Sequence, residues 1–328
     1  MRVFLTGGTG LLGSHLAEEL RRADCEVVAL HRRHADTLLL EELDCELVEG
    51  DVRDDAEVME PMMRGCTHVV HAAALVYAGG SWPKIRAVNV DGTRNVLTAA
   101  VAAGVTHAVH VSSVSVYGAA PVPISEDTPI DSDLHPGDLY ARSKREAEAV
   151  ARGIERVQGL AVSVVCPSAV YGERDRLMAP ALCNLLRSPV VPLFGSASNT
   201  VPVVYAGNVA VAIRTVLEAG ERGATYDLGL DLPLTQRELL EYLCEGLGKR
   251  GNFVRLPRAL VKGAAALLER LGVKPPGAKH LSLARVVQLA LDDNPYPSRR
   301  LRETLGWDPP HAHREALQRT GRWCLDHL

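Results

Sequence analysis

Hydrophobic and polar positions alternate in a regular way along the first half of the chain. Short, almost continuously apolar runs are separated by longer segments in which apolar residues recur every three or four positions. The apolar runs predict strands that are buried on both faces, and the longer segments predict helices. The predicted strands lie in segments 2–7, 26–31, 45–51, 67–74, 106–113 and 160–172, and the predicted helices in 11–23, 54–65, 89–104 and 139–157.

This alternation predicts an α/β fold with a doubly wound parallel sheet of Rossmann type, in which ligands bind at the carboxyl ends of the strands. The second half is richer in proline and less periodic. Helical stretches recur there around 208–219, 235–248, 257–272 and 311–325. We therefore predict a sheet domain over residues 1–170, with a returning segment near 200–228, and a smaller α/β lobe over residues 171–328.

Composition and charge limit the classes of protein that fit. The chain has 328 residues, 47% of them hydrophobic, and a formal net charge of −4, which predicts no nucleic-acid partner. The seven cysteines include no C-x-x-C motif and favour a reducing cytoplasm over a disulfide framework. We expect no signal peptide, because Met1 and Arg2 lead directly into a strand, and no membrane span, because the apolar stretch 260–272 is short and charged.

A glycine-rich loop, TGGTGLLG, follows the first predicted strand and opens the first predicted helix. Its three evenly spaced glycines permit a tight turn, a close approach of a pyrophosphate and close packing of helix on sheet. The helix N-terminus offers free N–H groups to the phosphates, although a purely structural turn is the alternative. The predicted dinucleotide site contains Gly7, Thr9, Gly10, Leu11, Leu12 and Gly13, and it makes residues 1–170 a dinucleotide-binding domain.

The end of the second predicted strand indicates which dinucleotide binds. The segment ALHRRH (29–34) has no acidic residue for a ribose 2′-hydroxyl, but it has Arg32 and Arg33, which suit a 2′-phosphate. NADP(H) is therefore favoured, and NAD(H) remains possible if these residues form only a solvated basic turn. His31 and His34 are interpreted as part of the same basic rim.

The sequence predicts no metal site. The segment HAH (311–313) is interpreted as a surface pair of histidines, because no carboxylate or cysteine lies at ligand spacing.

The segment YARSK (140–144) places Tyr140 and Lys144 one helical turn apart. An ammonium group near a phenol favours the phenolate form, so the pair is suited to acid/base chemistry. Taken alone, the same spacing also fits a solvated helix face. The glycine loop and the serine-containing segment upstream favour the catalytic interpretation.

The motifs together resemble one family, the extended short-chain dehydrogenase/reductases, also called the NAD-dependent epimerase/dehydratase family. The C-terminal half resembles it only loosely, through segments 195–210 and 301–309. The motifs that carry the resemblance are TGGTGLLG (6–13), GDVRD (50–54), HAAA (71–74), NVDGT (89–93), VSSVSVYG (111–118), YARSK (140–144) and CPSAVYG (166–172).

The resemblance implies roles for individual residues. Ser113, Tyr140 and Lys144 match the catalytic residues, and helices 92–104 and 139–155 match a homodimer interface. The resemblance also implies residues that bind the cofactor: some would lie against its adenine, some beneath it, some would order the active site and some would line the nicotinamide. In addition to the glycine loop, the basic turn and the catalytic pair, they are Asp51, Val52, Ala72, Ala73, Ala74, Asn89, Ser112, Pro167, Ser168 and Val170.

The substrate class is indicated by segment 198–208, which differs from the corresponding segment of family members that act on nucleotide sugars. Sugar-nucleotide members of the family carry an arginine there, whereas this chain has none and has Asn208 in place of the usual acid. The stretch 177–186 and the loop predicted at 191–196 are apolar, which favours an apolar ketone or aldehyde. This pattern resembles the branch of 3β-hydroxysteroid dehydrogenases, dihydroflavonol reductases and cinnamoyl-type reductases.

Other functions stay open. A nucleotide-sugar 4-epimerase or dehydratase is the main alternative, and a non-catalytic dinucleotide-binding protein is a remote one. For the apolar and aromatic candidates in the substrate wall, core packing is the alternative. The candidate substrate-binding residues are Val76, Tyr77, Ser113, Tyr171, Leu193 and Tyr205.

Overall fold

The computed structural model describes residues 1–76, 81–120, 124–134, 137–272, 287, 291, 293 and 296–327. Its centre is a sheet of seven parallel strands. Their order across the sheet is β10 (Thr225–Leu228), β6 (Ala161–Pro167), β5 (His107–Val111), β4 (His68–His71), β1 (Arg2–Thr6), β2 (Glu26–His31) and β3 (Glu46–Glu49). This topology confirms the predicted doubly wound α/β fold.

The helices among the described residues cover both faces of the sheet and build most of the C-terminal lobe. Short 3₁₀ turns lie at Glu60–Met63 and Val114–Tyr117, and a π-helical turn lies at Ala87–Asp91. The α-helices are α1 (Leu11–Arg22), α2 (Leu38–Glu42), α3 (Ala56–Met59), α4 (Trp82–Arg86), α5 (Gly92–Ala102), α6 (Leu139–Gln158), α7 (Met178–Leu186), α8 (Ala206–Ala219), α9 (Gln236–Gly246), α10 (Arg258–Arg270), α11 (Arg299–Leu305) and α12 (His313–His327).

Two hydrophobic layers flank the sheet, because successive side chains of a strand point to opposite faces. On one face Leu5 of β1 packs in a cluster with Leu16 of α1 and with residues of α8. On the other face Phe4 packs in a cluster with Leu97 of α5 and Ala151 of α6. Burial on both faces explains why these strands lack polar alternation in the sequence.

The C-terminal half contributes both to the central sheet and to a separate lobe. Strand β10 pairs with β6 and lies within the stretch 200–228, where a return to the sheet was predicted. Two small parallel pairs, β7 (Ala169–Tyr171) with β9 (Val203–Tyr205) and β8 (Val191–Phe194) with β11 (Phe253–Leu256), belong to the lobe. The segment 191–196 was expected to be a loop, but its first four residues form β8 because their backbone pairs with β11, and only the last two residues lie outside the strand. A division of the chain at residue 170 stays a proposal.

Candidate active site

The glycine loop connects the carboxyl end of β1 to α1. The N–H of Gly10 donates to the carbonyl of Gly7 over 2.9 Å, and Gly7 has a positive φ of 78°. The N-cap residue of the helix is Gly10, which has no side chain that could accept from the first-turn N–H groups. These groups and the positive end of the helix dipole fit an anionic pyrophosphate. Thr9, Leu11 and Leu12 are half-buried around the same turn.

Close packing around the loop explains two of its glycines. A Cβ on Gly13 would lie 2.0 Å from the carbonyl oxygen of Gly7. A Cβ on Gly7 would lie 2.8 Å from the backbone nitrogen of Ala73, in the segment that leaves β4. Ala72, Ala73 and Ala74 are half-buried next to this contact, and the structure therefore brings the alanine segment and the glycine loop together.

The basic turn after β2 is exposed. Neither guanidinium group of Arg32 and Arg33 forms a hydrogen bond or ion pair with the residues that the structure describes. Asp51 accepts two hydrogen bonds of 2.9 Å from the guanidinium of Arg53, and these bonds, with a smaller contribution from the charge of Arg32, hold the pKa of Asp51 below its usual range. The carboxylate is thus neutralised by Arg53, and the charges of the turn remain unpaired.

Two further residues of the expected adenine side flank this turn. His31 ends β2 and is half-buried, with its ring Nδ1 3.3 Å from the carbonyl of Arg32. Val52 is buried, and a Cβ on Gly92 would lie 2.9 Å from its side chain. Val52 therefore joins the turn after β3 to the start of α5.

The N-terminal half of α6 carries Tyr140 and Lys144. Asp138 caps the helix by accepting the N–H of Ala141 over 2.9 Å. Lys144 is 3% exposed, and its Nζ lies 5.9 Å from the ring centre of Tyr140 and donates to the carbonyl of Val111 over 2.8 Å. Burial lowers the pKa of Lys144 to about 8. The phenol and the ammonium group therefore share one side of the helix, next to the end of β5.

The end of β5 carries the two serines. Ser113 is half-buried and immediately precedes the 3₁₀ turn, and its Oγ caps the turn by accepting the N–H of Ser115 over 3.2 Å. Ser112 is buried, and its hydroxyl donates to the carboxylate of Glu148 on α6. Lys144 on α6 donates to the carbonyl of Val111, which immediately precedes these serines. The end of the strand and the helix therefore form one unit.

Asn89 connects this unit to the alanine segment. Its side-chain oxygen accepts the N–H of Leu75 over 2.8 Å, and its amide donates to the carbonyl of Leu75 and to Ser143 Oγ. Ser143 in turn donates to the carbonyl of Tyr140 over 2.7 Å. The expected ordering role of Asn89 thus corresponds to a specific hydrogen-bonded bridge, which includes Ser143.

A buried chain of hydrogen bonds leads from the glycine loop to Asn89. The hydroxyl of Thr6 accepts the N–H of Ala73 over 3.2 Å, and the same oxygen lies 2.8 Å from His71 Nδ1. The hydroxyl of Thr93 donates to the carbonyl of Asn89, so it accepts from His71 Nε2 over 3.0 Å. Burial lowers the pKa of His71 to about 3, which keeps the ring neutral. Since a neutral ring that donates from Nε2 has an acceptor at Nδ1, the hydroxyl of Thr6 donates to Nδ1.

The expected nicotinamide side lies at the end of β6. Pro167 is buried and aligned with Leu228 of β10. The hydroxyl of Ser168 donates to the carbonyl of Gly229 over 3.2 Å, and Val170 of β7 is half-buried. These contacts fix the strand end on which an implied cofactor would rest.

The candidate substrate wall is divided by the structure. Val76 is 40% exposed at the end of the alanine segment, and Tyr77 lies outside the described residues. Tyr171, Leu193 and Tyr205 are at most 3% exposed and pack in two core clusters of the C-terminal lobe. Their burial favours core packing, the alternative reading for apolar and aromatic residues.

The interpretation of HAH (311–313) as a surface pair was wrong for His313. This histidine is buried, with its Nδ1 2.7 Å from the hydroxyl of Tyr171 and its Nε2 3.1 Å from the carboxylate of Asp231. Asp231 also accepts from the amide of Asn208 over 2.7 Å. The group ties α12 to β7 and to the segment that follows β10.

Sequence reasoning overlooked Glu148 and Ser143, although a signal existed for one of them. Glu148 follows Lys144 by four positions, the same spacing that singled out Tyr140.

Among the described residues no three His, Cys, Asp or Glu side chains lie close enough together to hold a metal ion. Within the same residues no helix is long and apolar enough to cross a membrane.

Two features of the structure define its class. A glycine loop opens a helix at the carboxyl end of a parallel strand, and a helix with a tyrosine–lysine pair lies beside a strand end that carries two serines. Together they are typical of a dinucleotide-dependent α/β enzyme. Residues 3–229 match the NAD-dependent epimerase/dehydratase family. The chain therefore belongs to this family, the extended short-chain dehydrogenase/reductases, which are NAD(P)-dependent.

Individual relatives span more than one reaction type. The chain is 28% identical to 3beta-hydroxysteroid-dehydrogenase/decarboxylase isoform 1 of Arabidopsis thaliana, over 96% of this chain and 78% of the relative. It is 27% identical to a 4-hydroxy-2-methyl-3-oxo-4-farnesyl-3,4-dihydroquinoline-1-oxide ketoreductase of Stigmatella aurantiaca, over 97% and 95% of the two chains. The dTDP-glucose 4,6-dehydratase DesIV of Streptomyces venezuelae, solved with NAD and TYD, superposes with a TM-score of 0.74 at 28% identity, over 100% and 98% of the chains.

Proposed function

We propose that this protein is an NAD(P)H-dependent oxidoreductase that interconverts an alcohol with a ketone or aldehyde on a fairly apolar, steroid-, flavonoid- or polyketide-like substrate. The observation that carries the proposal is the buried ammonium group of Lys144, 5.9 Å from the ring centre of Tyr140 and bonded to the strand that leads to Ser113. A bound nicotinamide would supply the hydride for reduction, or accept it for oxidation, at the substrate carbon.

Each side chain has a distinct role in reduction. Tyr140 donates its proton to the substrate oxygen, and the ammonium group of Lys144 favours the phenolate that remains. Ser113 donates a hydrogen bond to the same oxygen, because its Oγ already accepts the N–H of Ser115 and leaves the hydroxyl hydrogen for the substrate. One such donor contributes about 3 kcal/mol to transition-state stabilisation.

The charges around β9 support an apolar substrate. Segment 198–205 contains no lysine or arginine that could hold the diphosphate of a nucleotide sugar. Arg319 reaches Tyr205 of β9, but its guanidinium is paired with Glu173 over 3.2 Å. The 3beta-hydroxysteroid and farnesyl-dihydroquinoline substrates in the names of two relatives agree with this choice.

The unpaired charges of the basic turn support a preference for NADP(H). Since Arg53 neutralises Asp51, the field at the turn is set by Arg32 and Arg33, which suits a 2′-phosphate. We expect Arg32→Ala to erase an NADPH preference of tenfold or more, about 1.4 kcal/mol, in titrations followed by tryptophan fluorescence. Arg64→Ala, an exposed arginine of the same domain, is the matched control. Equal affinity for NADH and NADPH in the unaltered protein would contradict the preference.

A nucleotide-sugar 4-epimerase or dehydratase is the second candidate, supported by the full-length likeness to the Streptomyces dehydratase. The two candidates separate in one experiment. Purified protein is incubated with NADPH and a panel of apolar ketones and aldehydes, and in parallel with nucleotide sugars analysed by chromatography. Net NADPH oxidation with carbonyls supports the oxidoreductase, whereas tightly bound NAD(H) and conversion of a nucleotide sugar without net oxidation support the alternative. Dinucleotide binding without either activity would support a non-catalytic protein.

We also propose a homodimer in a reducing cytoplasm. Helices α5 and α6 lie side by side and carry small residues, which would allow a second copy to approach closely. All seven cysteines are free thiols, which agrees with a reducing compartment. Light scattering after gel filtration should give twice the chain mass of 35.3 kDa, and a monomer mass would remove the dimer.

A further inference from the structure

Glu148 is a buried carboxyl group that the proposed chemistry leaves without a role. It lies on α6 one turn after Lys144, on the same side of the helix, and it is 8% exposed. A buried carboxylate costs free energy unless hydrogen bonds or charges compensate it. The contacts of Glu148 therefore indicate what it is held there to do.

One contact joins Glu148 to the strand end of the site. The hydroxyl of Ser112 donates to its carboxylate, and the thiol of Cys166 on β6 lies 3.7 Å from the same oxygen. The backbone N–H of Ser112 donates to the carbonyl of Val165 over 2.7 Å. Ser112 is thus fixed from both sides, and the position of the adjacent Ser113 depends on it.

The second link is electrostatic. Burial lowers the pKa of Lys144, and the negative charge of Glu148 opposes this shift. Burial raises the pKa of Glu148, while the hydrogen bond from Ser112 and the charges of Arg152 and Lys144 oppose that rise. A carboxylate one turn away can therefore hold the buried amine in its charged form.

Other titratable groups also face this pair. His71 and His110 face Lys144 from the sheet, and burial keeps both rings neutral by lowering their pKa values. Glu148 also lines a cavity of about 310 Å³. The remaining titratable groups lie on α6, on the neighbouring strands and beside this cavity, and they are Arg145, Arg152, Cys166, Tyr117, Asp227 and Glu126. The cavity gives the carboxyl group room for water.

We propose that Glu148 is a positioning residue of the active site, whose carboxylate fixes the Ser112–Ser113 strand end through Ser112 and keeps Lys144 in the ammonium form. The inference rests on the proposed function for its consequence in turnover. The electrostatic part of the proposal concerns only the charge state of Lys144, which can be measured without a substrate.

The first test reads Lys144 directly. The chain has six lysines, so labelling with ¹³Cε-lysine gives few signals, and Lys144→Met identifies the one from Lys144. Glu148→Gln keeps an oxygen that can accept from Ser112 but removes the charge. We expect the Lys144 titration to move to lower pH by about one unit or more in Glu148→Gln. Glu148→Asp should restore it, and Glu146→Gln, on the exposed side of α6, should leave it unchanged.

The second test uses turnover of a carbonyl substrate. Glu148→Gln should lower kcat about tenfold at neutral pH and leave KM nearly unchanged. The pH above which kcat falls should shift to a lower value, by the same amount as the Lys144 titration observed by NMR. Ser112→Ala should lower kcat without moving the titration. A Lys144 titration in Glu148→Gln that superimposes on that of the unaltered protein overturns the proposal, as does a high-pH fall of kcat that stays in place. If no substrate turns over but the lysine titration moves, the proposed function fails and the electrostatic role stands.

Discussion

The packing of the glycine loop predicts that two glycines three positions apart respond differently to alanine. A Cβ on Gly13 would lie 2.0 Å from the carbonyl oxygen of Gly7, whereas ordinary van der Waals contact begins at 3.4 Å. The loop and α1 must therefore separate by the difference, about 1.4 Å. On Gly10 the nearest atom would be the same oxygen at 3.3 Å, which needs almost no movement.

The expected cost follows from this difference. Overpacking of this kind costs about 1–3 kcal/mol, and backbone atoms on both sides favour the upper end. Alanine gains about 1 kcal/mol over glycine inside a helix, so Gly13→Ala should lose about 2 kcal/mol of unfolding free energy. Gly10→Ala changes only a helix cap and should lose less than about 1 kcal/mol.

Two assays on the same proteins test the prediction. Urea unfolding followed by circular dichroism gives the free energies of unfolding, and tryptophan fluorescence gives dinucleotide affinity. We expect both variants to weaken dinucleotide binding at least tenfold, about 1.4 kcal/mol, but only Gly13→Ala to lose substantial stability. Full stability in Gly13→Ala would refute the packing argument. An unchanged affinity in Gly10→Ala would refute the phosphate-binding role of the loop.

Two further predictions concern the hydrogen bonds around Asn89 and His71. Asn89→Leu leaves the N–H and carbonyl of Leu75 without their partner, and urea unfolding should show a loss of about 2–4 kcal/mol, whereas an unchanged value would mean that water replaces the bridge. His71 has a pKa of about 3 when folded and an ordinary value when unfolded, so the unfolded chain binds the proton first and stability falls as the pH drops below about 6.5. His71→Gln, which can still donate to Thr93, should reduce the stability difference between pH 7 and pH 5 by about 2 kcal/mol, and an equal difference in both proteins would contradict a neutral buried ring.

The first half of the fold could be predicted because its strands and helices have distinct hydrophobic periods. Strand β2 has the predicted bounds Glu26–His31, and α6 ends at Gln158, one residue after the predicted segment. The helix predicted over 54–65 is interrupted because Ala56–Met59 is followed by a 3₁₀ turn, Glu60–Met63, whose second residue is Pro61. Local pattern therefore determined the elements that carry the glycine loop and the tyrosine–lysine pair.

The second half could be predicted less well because its contacts are distant in sequence. His313 meets Asp231 and Tyr171 only in the folded chain, so the segment HAH gave no sign of burial. An apolar side chain such as Leu193 has the same sequence signature in a core as in a pocket wall, and only packing distinguishes the two. Glu148 could have been predicted from its spacing to Lys144, but its bond to Ser112 could not.

The most direct test of the central claim is the rate of NADPH oxidation with a reactive carbonyl substrate in the unaltered protein and in Tyr140→Phe. Tyr242→Phe, a half-exposed tyrosine on α9, is the control for a general effect of losing a phenol hydroxyl. We predict that Tyr140→Phe lowers kcat by about 10²–10⁴-fold while dinucleotide affinity persists, since proton donation by a positioned side chain contributes that much to a rate. A Tyr140→Phe protein that turns over as fast as Tyr242→Phe would contradict the account.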